Sequence, residues 1–158
     1  MRVLAAAIEN HVGEEIRVSG WVHRIRNLGG ISFVMLRDRS GIVQVVYTEE
    51  PGFGNETVIT VRGTVAENEK AEGGYEVQAS ETEILGAADP ELPVAVNQDA
   101  SKLGIDALLD NRIITLRNPK VRRIFELQAT VVYLFAEALR ARGFTEIKSS
   151  KIIGSGTE

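Results

Sequence analysis

Along the first half of the chain, apolar and polar residues alternate in short runs separated by turn formers. In "EEIRVSGWVHRIR" the apolar positions Ile16, Val18 and Val22 recur with a period of two, which predicts a strand with one buried face. Gly20 within that run predicts a bulge or bend. The turn "LGG" leads into a second strand, "ISFVMLRD", and "RSG" turns the chain into a third, "GIVQVVY". After the loop "EEPGFGNE", the run "TVITVRGTVAEN" reads as a fourth strand, "EKAEGG" as a turn and "YEVQASETEIL" as a fifth. Five short strands with tight turns fit a small closed barrel. A sandwich is the alternative, but five strands would make a poor one.

From Ala87 the texture changes. "AADPELPVAVNQDAS" is rich in Pro and Ala without a period, as in a hinge or linker. A short helical turn is expected within "KLGIDALLDNRIITLRN". The strongest periodicity in the chain follows. Asn118 is a good N-cap, Pro119 suits the first helical position, and Val121, Ile124, Leu127, Val131, Leu134, Phe135, Ala138 and Leu139 recur at helical spacing. Arg140 and Arg142 complement the C-terminal end of the dipole and Gly143 can end the helix. The apolar positions exceed one stripe, so this helix needs cover on two sides, from a partner chain or from further sequence of the same chain. "FTEIKSSKII" is expected to be an extended strand.

Composition narrows the chemistry. The chain has 158 residues, 44% hydrophobic and 25% charged, an ordinary globular balance that predicts a packed core. It has no cysteine, which excludes disulfides and thiolate metal sites, and its two histidines, His11 and His23, are too few to suggest a metal centre. The N-terminal stretch has no cleavage-site pattern and no run approaches bilayer length, so a cytoplasmic protein without a membrane partner is expected. The formal net charge of −4 argues against indiscriminate nucleic-acid binding, yet it averages over a strong asymmetry. Residues 17–39 hold five arginines (Arg17, Arg24, Arg26, Arg37, Arg39) against Asp38, whereas residues 49–91 hold eleven carboxylates against Arg62 and Lys70. Such a split can steer a polyanion onto one face and repel it from the rest.

A five-stranded barrel of this kind commonly presents its second and third strands to single-stranded nucleic acid. Phe33 alternates with Val34 and Leu36 and therefore points, with Ile31 and Met35, away from the face those two occupy. An outward aromatic is a stacking platform for an unpaired base. Gln44 has the parity of Ile42 and Val46 on the next strand, and its amide both donates and accepts at a base edge. Arg24 and Arg26, leaving the first strand, can reach phosphates or a base. The plainer reading stands beside this one: an aromatic in a strand is usually core, and arginines near a turn are usually solvated. On the same footing, Arg37-Asp38-Arg39 reads as a turn with local ion pairing, and His23 as a surface or rim residue rather than a catalyst.

These residues carry a family resemblance. "HVGEEIRVSGWVHRIRNLGGISFVMLRDRSGIVQVV" resembles the N-terminal anticodon-binding barrel of aspartyl-tRNA synthetases and, more loosely, of the asparaginyl enzymes. "LDNRIITLRNPKVRRIFELQATVVYLFAEALRARGFTEIKSSKIIGSGTE" resembles the segment of the same enzymes that runs into class II motif 1. The resemblance implies an OB-fold anticodon-binding domain over residues 1–88, a hinge over 89–117 and the start of an α+β class II catalytic domain over 118–158. It places Phe33 beneath the central uridine of the anticodon, Gln44 at the edge of that base and Arg26 beside the anticodon. It implies a homodimer through the motif 1 helix, with Ile124, Leu127, Val131 and Phe135 at the interface. Glu158 matches a glutamate that in relatives approaches the amino group of the amino-acid substrate.

The sequence also departs from the family pattern. Asn27 stands where most relatives have Asp after the arginine, and Ser150 where motif 1 carries a proline. The arginines of motifs 2 and 3, which serve ATP, do not occur before Glu158. Adenylate formation needs such cations. The chain is thus expected to bind tRNA without activating aspartate and to hold no cofactor or catalytic residue of its own, ATP and Mg²⁺ belonging to the complete enzyme. His23, where some enzymes restricted to tRNA(Asp) have tryptophan, and the absence of the relatives' lysine or proline at Glu72, imply tRNA(Asp) and also tRNA(Asn) as partners. The alternatives are a stand-alone tRNA-binding or dimerisation module, a fragment of an asparagine–tRNA ligase, or a paralogue acting on a free amino acid.

Overall fold

The computed structural model describes residues 2–148. The chain parts into two compact units between Asp99 and Ala100.

The first unit is built on strands β1 (Glu15–Leu28), β2 (Ile31–Arg37), β3 (Ile42–Tyr47), β4 (Val58–Glu67) and β5 (Tyr75–Gly86). β1 pairs antiparallel with β2 and β2 with β3; β3 runs parallel to β5, β5 antiparallel to β4, and β4 returns antiparallel to β1, which closes the sheet. β1 and β5 span 14 and 12 residues, longer than the short strands expected. The reason is the closure itself: β1 pairs with β4 over Glu15–Trp21 and with β2 over Trp21–Leu28, so one bent strand serves both neighbours. Gly29 and Gly30 make the β1–β2 turn with φ of 59° and 88°, the left-handed pair that a two-residue hairpin requires.

The core follows the period-two pattern. Val18, Val22, Val34, Leu36, Val45, Ile59, Val61, Val65 and Val77 are all essentially sealed from solvent. A 3-10 helix, Ala5–His11, adds Ala5 and Ile8 to this cluster. It is anchored by the Ala5 N–H, which donates to Asp38 Oδ2 at 2.9 Å. Asp38 Oδ1 also accepts from Ser40 N–H and Oγ–H and from Gly41 N–H. Burial pushes the Asp38 carboxyl up, but these hydrogen bonds outweigh it and hold the pKa below the ordinary value.

Of the bulge or bend expected at Gly20, the bulge lies elsewhere, while β1 passes from β4 to β2 at the adjoining Trp21. Gly20 stays in register opposite Ile59, and a Cβ there would stand 2.3 Å from the Arg37 carbonyl oxygen, so the glycine permits a close backbone approach. The register shift falls at His23, between Val22 and Arg24. One extra residue reverses the parity of everything after it. Ile16, Val18 and Val22 point inward, but beyond the bulge it is Ile25 that turns toward the core, while Arg24 and Arg26 are exposed.

In the second unit, a short 3-10 turn (Ala100–Lys102) precedes α1 (Ile105–Asp110), α2 (Arg112–Thr115) and α3 (Pro119–Arg140). Asn118 caps α3: its side chain accepts from the Lys120 and Val121 N–H groups. At the other end the Gly143 N–H donates to Arg140 O and the Phe144 N–H to Leu139 O, with Gly143 at φ 85°, the pattern of a Schellman stop. The extended strand expected over "FTEIKSSKII" is not formed in its described part: residues 144–148 pair with no strand, and Phe144 and Ile147 are exposed. A strand needs a ladder partner, and none is present there among the described residues. Ser150 and Glu158 lie outside the described residues.

Candidate nucleic-acid interface

Across β1, β2, β3 and β5, direct register partners line up in two rows. One runs Arg24–Met35–Gln44–Glu76 and the next Arg26–Phe33–Val46–Gln78. Residues directly opposite share a face of the sheet, so both rows stand on the outside of the barrel. Phe33 is half-buried on this outer face, whereas its neighbours Val34 and Ser32 are sealed on the inner one. Arg26, directly across from it, is exposed, and its side chain makes no hydrogen bond or ion pair among the described residues. Arg24 is exposed and donates from Nη2 to Asn97 O at 3.3 Å.

Gln44 is oriented by a residue the sequence did not single out. Glu76, 8% exposed, accepts on Oε2 from Gln44 Nε2 at 2.9 Å and from Asn68 Nδ2 at 2.6 Å. A carboxylate only accepts, so the amide of Gln44 must turn its NH₂ toward Glu76, which leaves Oε1 as an acceptor for a ligand. No local pattern marks Glu76; the signal lies in the parallel β3–β5 pairing that sets it beside Gln44.

The remaining expected residues do not join these rows. Asn27 has the opposite parity to Arg26, pairs with buried Ser32, and donates from Nδ2 to Glu50 Oε1 at 2.7 Å. His23 sits on the bulge. Its Nδ1 lies 2.8 Å from Arg37 Nη1, and its carbonyl accepts from Asn97 Nδ2 at 2.9 Å. Burial lowers its pKa below the ordinary value, and the Arg37 cation lowers it further against a smaller opposing effect of Glu56. It lines a cavity of about 300 Å³ together with Asn55, Glu56, Leu92, Val96 and Asn97.

Arg37 is not a turn residue with local pairing. It is 8% exposed, and its Nη2 donates to both oxygens of Glu56, at 2.9 and 3.0 Å, 19 residues away in the sequence. The five arginines of residues 17–39 therefore do not form one cationic face. Arg37 is neutralised inside, Arg17 lies beside Arg62, Glu81 and Glu83, and only Arg24 and Arg26 stand in the rows around Phe33. Backbone parity, rather than the count along the chain, decides which charges a ligand meets.

Residues 16–85 match the family described as OB-fold nucleic acid binding domain, of the tRNA anticodon type. The whole chain is 42% identical over 158 residues to an aspartate–tRNA(Asp/Asn) ligase of Thermus thermophilus, covering 37% of that protein. An aspartate–tRNA(Asp/Asn) ligase of Methanopyrus kandleri is also 42% identical, over 92% of this chain and 36% of its own length. Among solved structures, the asparaginyl-tRNA synthetase of Pyrococcus horikoshii in complex with asparaginyl-adenylate superposes with a TM-score of 0.83 at 26% identity, over 95% of this chain and 36% of its own. The chain thus spans just over a third of the length of the relatives it matches.

Proposed function

From the premise that this chain carries an OB-fold domain of the anticodon-binding type and is homologous along its length to the N-terminal region of aspartate– and asparagine–tRNA ligases, we propose that the outer face of β1–β3 reads a tRNA anticodon loop. Phe33 stacks on the central base, Gln44 offers Oε1 to its edge, and Arg26 supplies a cation to the neighbouring phosphate. A uridine suits this arrangement, because its N3–H donates to an acceptor. The observation that carries the reading is the register: Arg26, Phe33 and Val46 lie directly opposite one another, and Gln44 occupies the adjoining row. Stacking on an aromatic needs no particular sequence, so it supplies affinity, while the oriented amide supplies selectivity.

The RNA partners are tRNA(Asp) and, with it, tRNA(Asn). Filter binding of the tRNA(Asp) transcript tests this: Arg26→Ala and Gln44→Ala each weaken binding relative to the unaltered chain, and equal affinity for all three contradicts it.

The second unit supports a partner of its own. Ile124, Leu127, Val131 and Phe135 on α3 are between 57% and 66% exposed, at spacings of three and four that place them along one side of the helix. We propose that this side pairs with a second copy of the chain. The division into a binding domain (1–88), a linker (89–117) and the start of a catalytic domain (118–158) belongs to the same proposal. Within a complete ligase, ATP and Mg²⁺ would supply activation of aspartate. Among the described residues no group of three or more His, Asp or Glu could hold a metal ion, and no step of that chemistry is assigned to them.

A further inference from the structure

The buried pair beneath the bulge has a geometry that a simple structural ion pair does not require. Arg37 spends one nitrogen, Nη2, on both oxygens of Glu56 and aims the other, Nη1, at His23 Nδ1. A guanidinium has donors only, so Nδ1 must be the accepting nitrogen and the imidazole hydrogen must sit on Nε2. His23 Nε2 has no hydrogen-bond partner among the described residues, and His23 is one of the residues lining the cavity of about 300 Å³. That volume suits a flat ring the size of a nucleobase. Glu56, which fixes the guanidinium, is itself held at φ 62°, a conformation L residues rarely adopt, with its N–H donating to Val22 O at 2.6 Å. His23 lies three residues from Arg26 along β1, about 10 Å at the rise of a strand, within reach of a nucleotide next to the one over Phe33.

We propose that Arg37 is a positioning residue for base recognition: clamped by Glu56, it holds the His23 imidazole with its hydrogen on Nε2, so that the cavity offers a neighbouring nucleobase one fixed hydrogen-bond donor. The inference rests on the RNA-binding reading above. Pocket and donor together select a base with a carbonyl or ring-nitrogen acceptor at that place. The charged groups around the imidazole are Arg37 on β2, Glu56 in the β3–β4 loop and Arg24 on β1. Loss of Arg37 removes a cation and leaves Glu56 facing the ring, which favours a charged imidazole with hydrogens on both nitrogens.

The test has two arms on the full chain. Imidazole ¹H–¹⁵N correlation spectra, with His11→Gln to assign the two histidines, read the tautomer without RNA. The unaltered chain shows an unprotonated Nδ1 and a protonated Nε2 at neutral pH, and Arg37→Met mixes the tautomers and raises the midpoint of titration. Arg37→Lys, which keeps a buried cation but not the fork, mixes them less and serves if the Met variant melts too low to study. A protonated Nδ1 in the unaltered chain, or an unchanged tautomer in both variants, overturns the positioning role. In the second arm, anticodon stem-loops altered at the two nucleotides flanking the central base are compared for affinity. Arg37→Met reduces discrimination among them by about two- to tenfold, the range of one neutral hydrogen bond. In a His23→Gln background, where the donor no longer depends on a tautomer, Arg37→Met has no such effect. An equal effect in both backgrounds marks Arg37 as structural only and overturns the proposal. If the unaltered chain bound no stem-loop at all, the RNA reading itself would fail, an outcome separate from a failure of the tautomer arm.

Discussion

Arg37 and Glu56 show how one pair can set both stability and the shape of a site. Both are nearly sealed, at 8% and 5% exposure, and their contact is a two-oxygen clamp between β2 and the loop before β4. Removing one partner of a buried ion pair leaves the other charged and desolvated. Glu56→Ala should therefore lower the unfolding free energy by about 3–5 kcal/mol, read as a fall in the urea midpoint; a change under about 1 kcal/mol, the scale of an exposed pair, would contradict the burial. Some of this was legible in the sequence at the residue scale. Phe33 and Gln44 follow from period-two parity, because both lie within uninterrupted strands. By sequence alone Arg37 reads as part of a local turn, because its partner lies 19 residues on, where no local pattern points. Glu76 is not marked in the sequence for the same reason, its neighbour Gln44 being supplied by a non-local parallel pairing.

At the scale of elements, the bulge at His23 is the feature on which the proposed interface depends. Strict alternation from Ile16, Val18 and Val22 would carry Arg24 and Arg26 into the core; the extra residue turns them out beside Phe33. By sequence alone Gly20 is the expected place for a bulge or bend, because glycine tolerates most backbones. The structure uses that glycine instead for the close approach of β2. Helix α3 was the most legible element, since its cap, first proline and stop are all local signals: Asn118, Pro119 and Gly143 do what their types predict. The 3-10 helix over Ala5–His11 had no such signature, and its place is fixed by Asp38, far along the chain. The exposed side of α3 carries a prediction of its own. Sedimentation should find the chain self-associating, and Leu127→Glu with Phe135→Glu should shift it to monomer without loss of helical signal. A unaltered chain that stays monomeric at high concentration would count against pairing through this helix.

At the scale of the whole molecule, net charge conceals what matters. A chain of formal charge −4 still presents a local surface with Arg24 and Arg26 outward, and on the proposed reading RNA association there should weaken with salt, as phosphate contacts do. Stability should depend on pH through two groups. His23 has a folded pKa below its unfolded value of about 6.5, so in the interval between the two the unfolded chain binds the additional proton. Stability is thus full above about pH 6.5 and declines as the pH falls toward the folded value. Asp38, also depressed, adds stability that is present above the unfolded carboxylate range and is lost at lower pH, as the folded pKa is passed. Thermal melts from pH 8 to pH 3 should show the first decline in the chain as it stands and lose it in His23→Gln; a flat profile between pH 7 and pH 5 would contradict the burial of that imidazole.

The central claim is that the Phe33 ring receives an unpaired base. It is tested most directly by measuring the affinity of two anticodon stem-loops, one with uridine at the central position and one abasic there, for the unaltered chain and for Phe33→Ala. Stacking predicts that the substitution weakens the uridine loop by about 1–3 kcal/mol and leaves the abasic loop unchanged. An equal loss for both loops, or no loss for either, would contradict it.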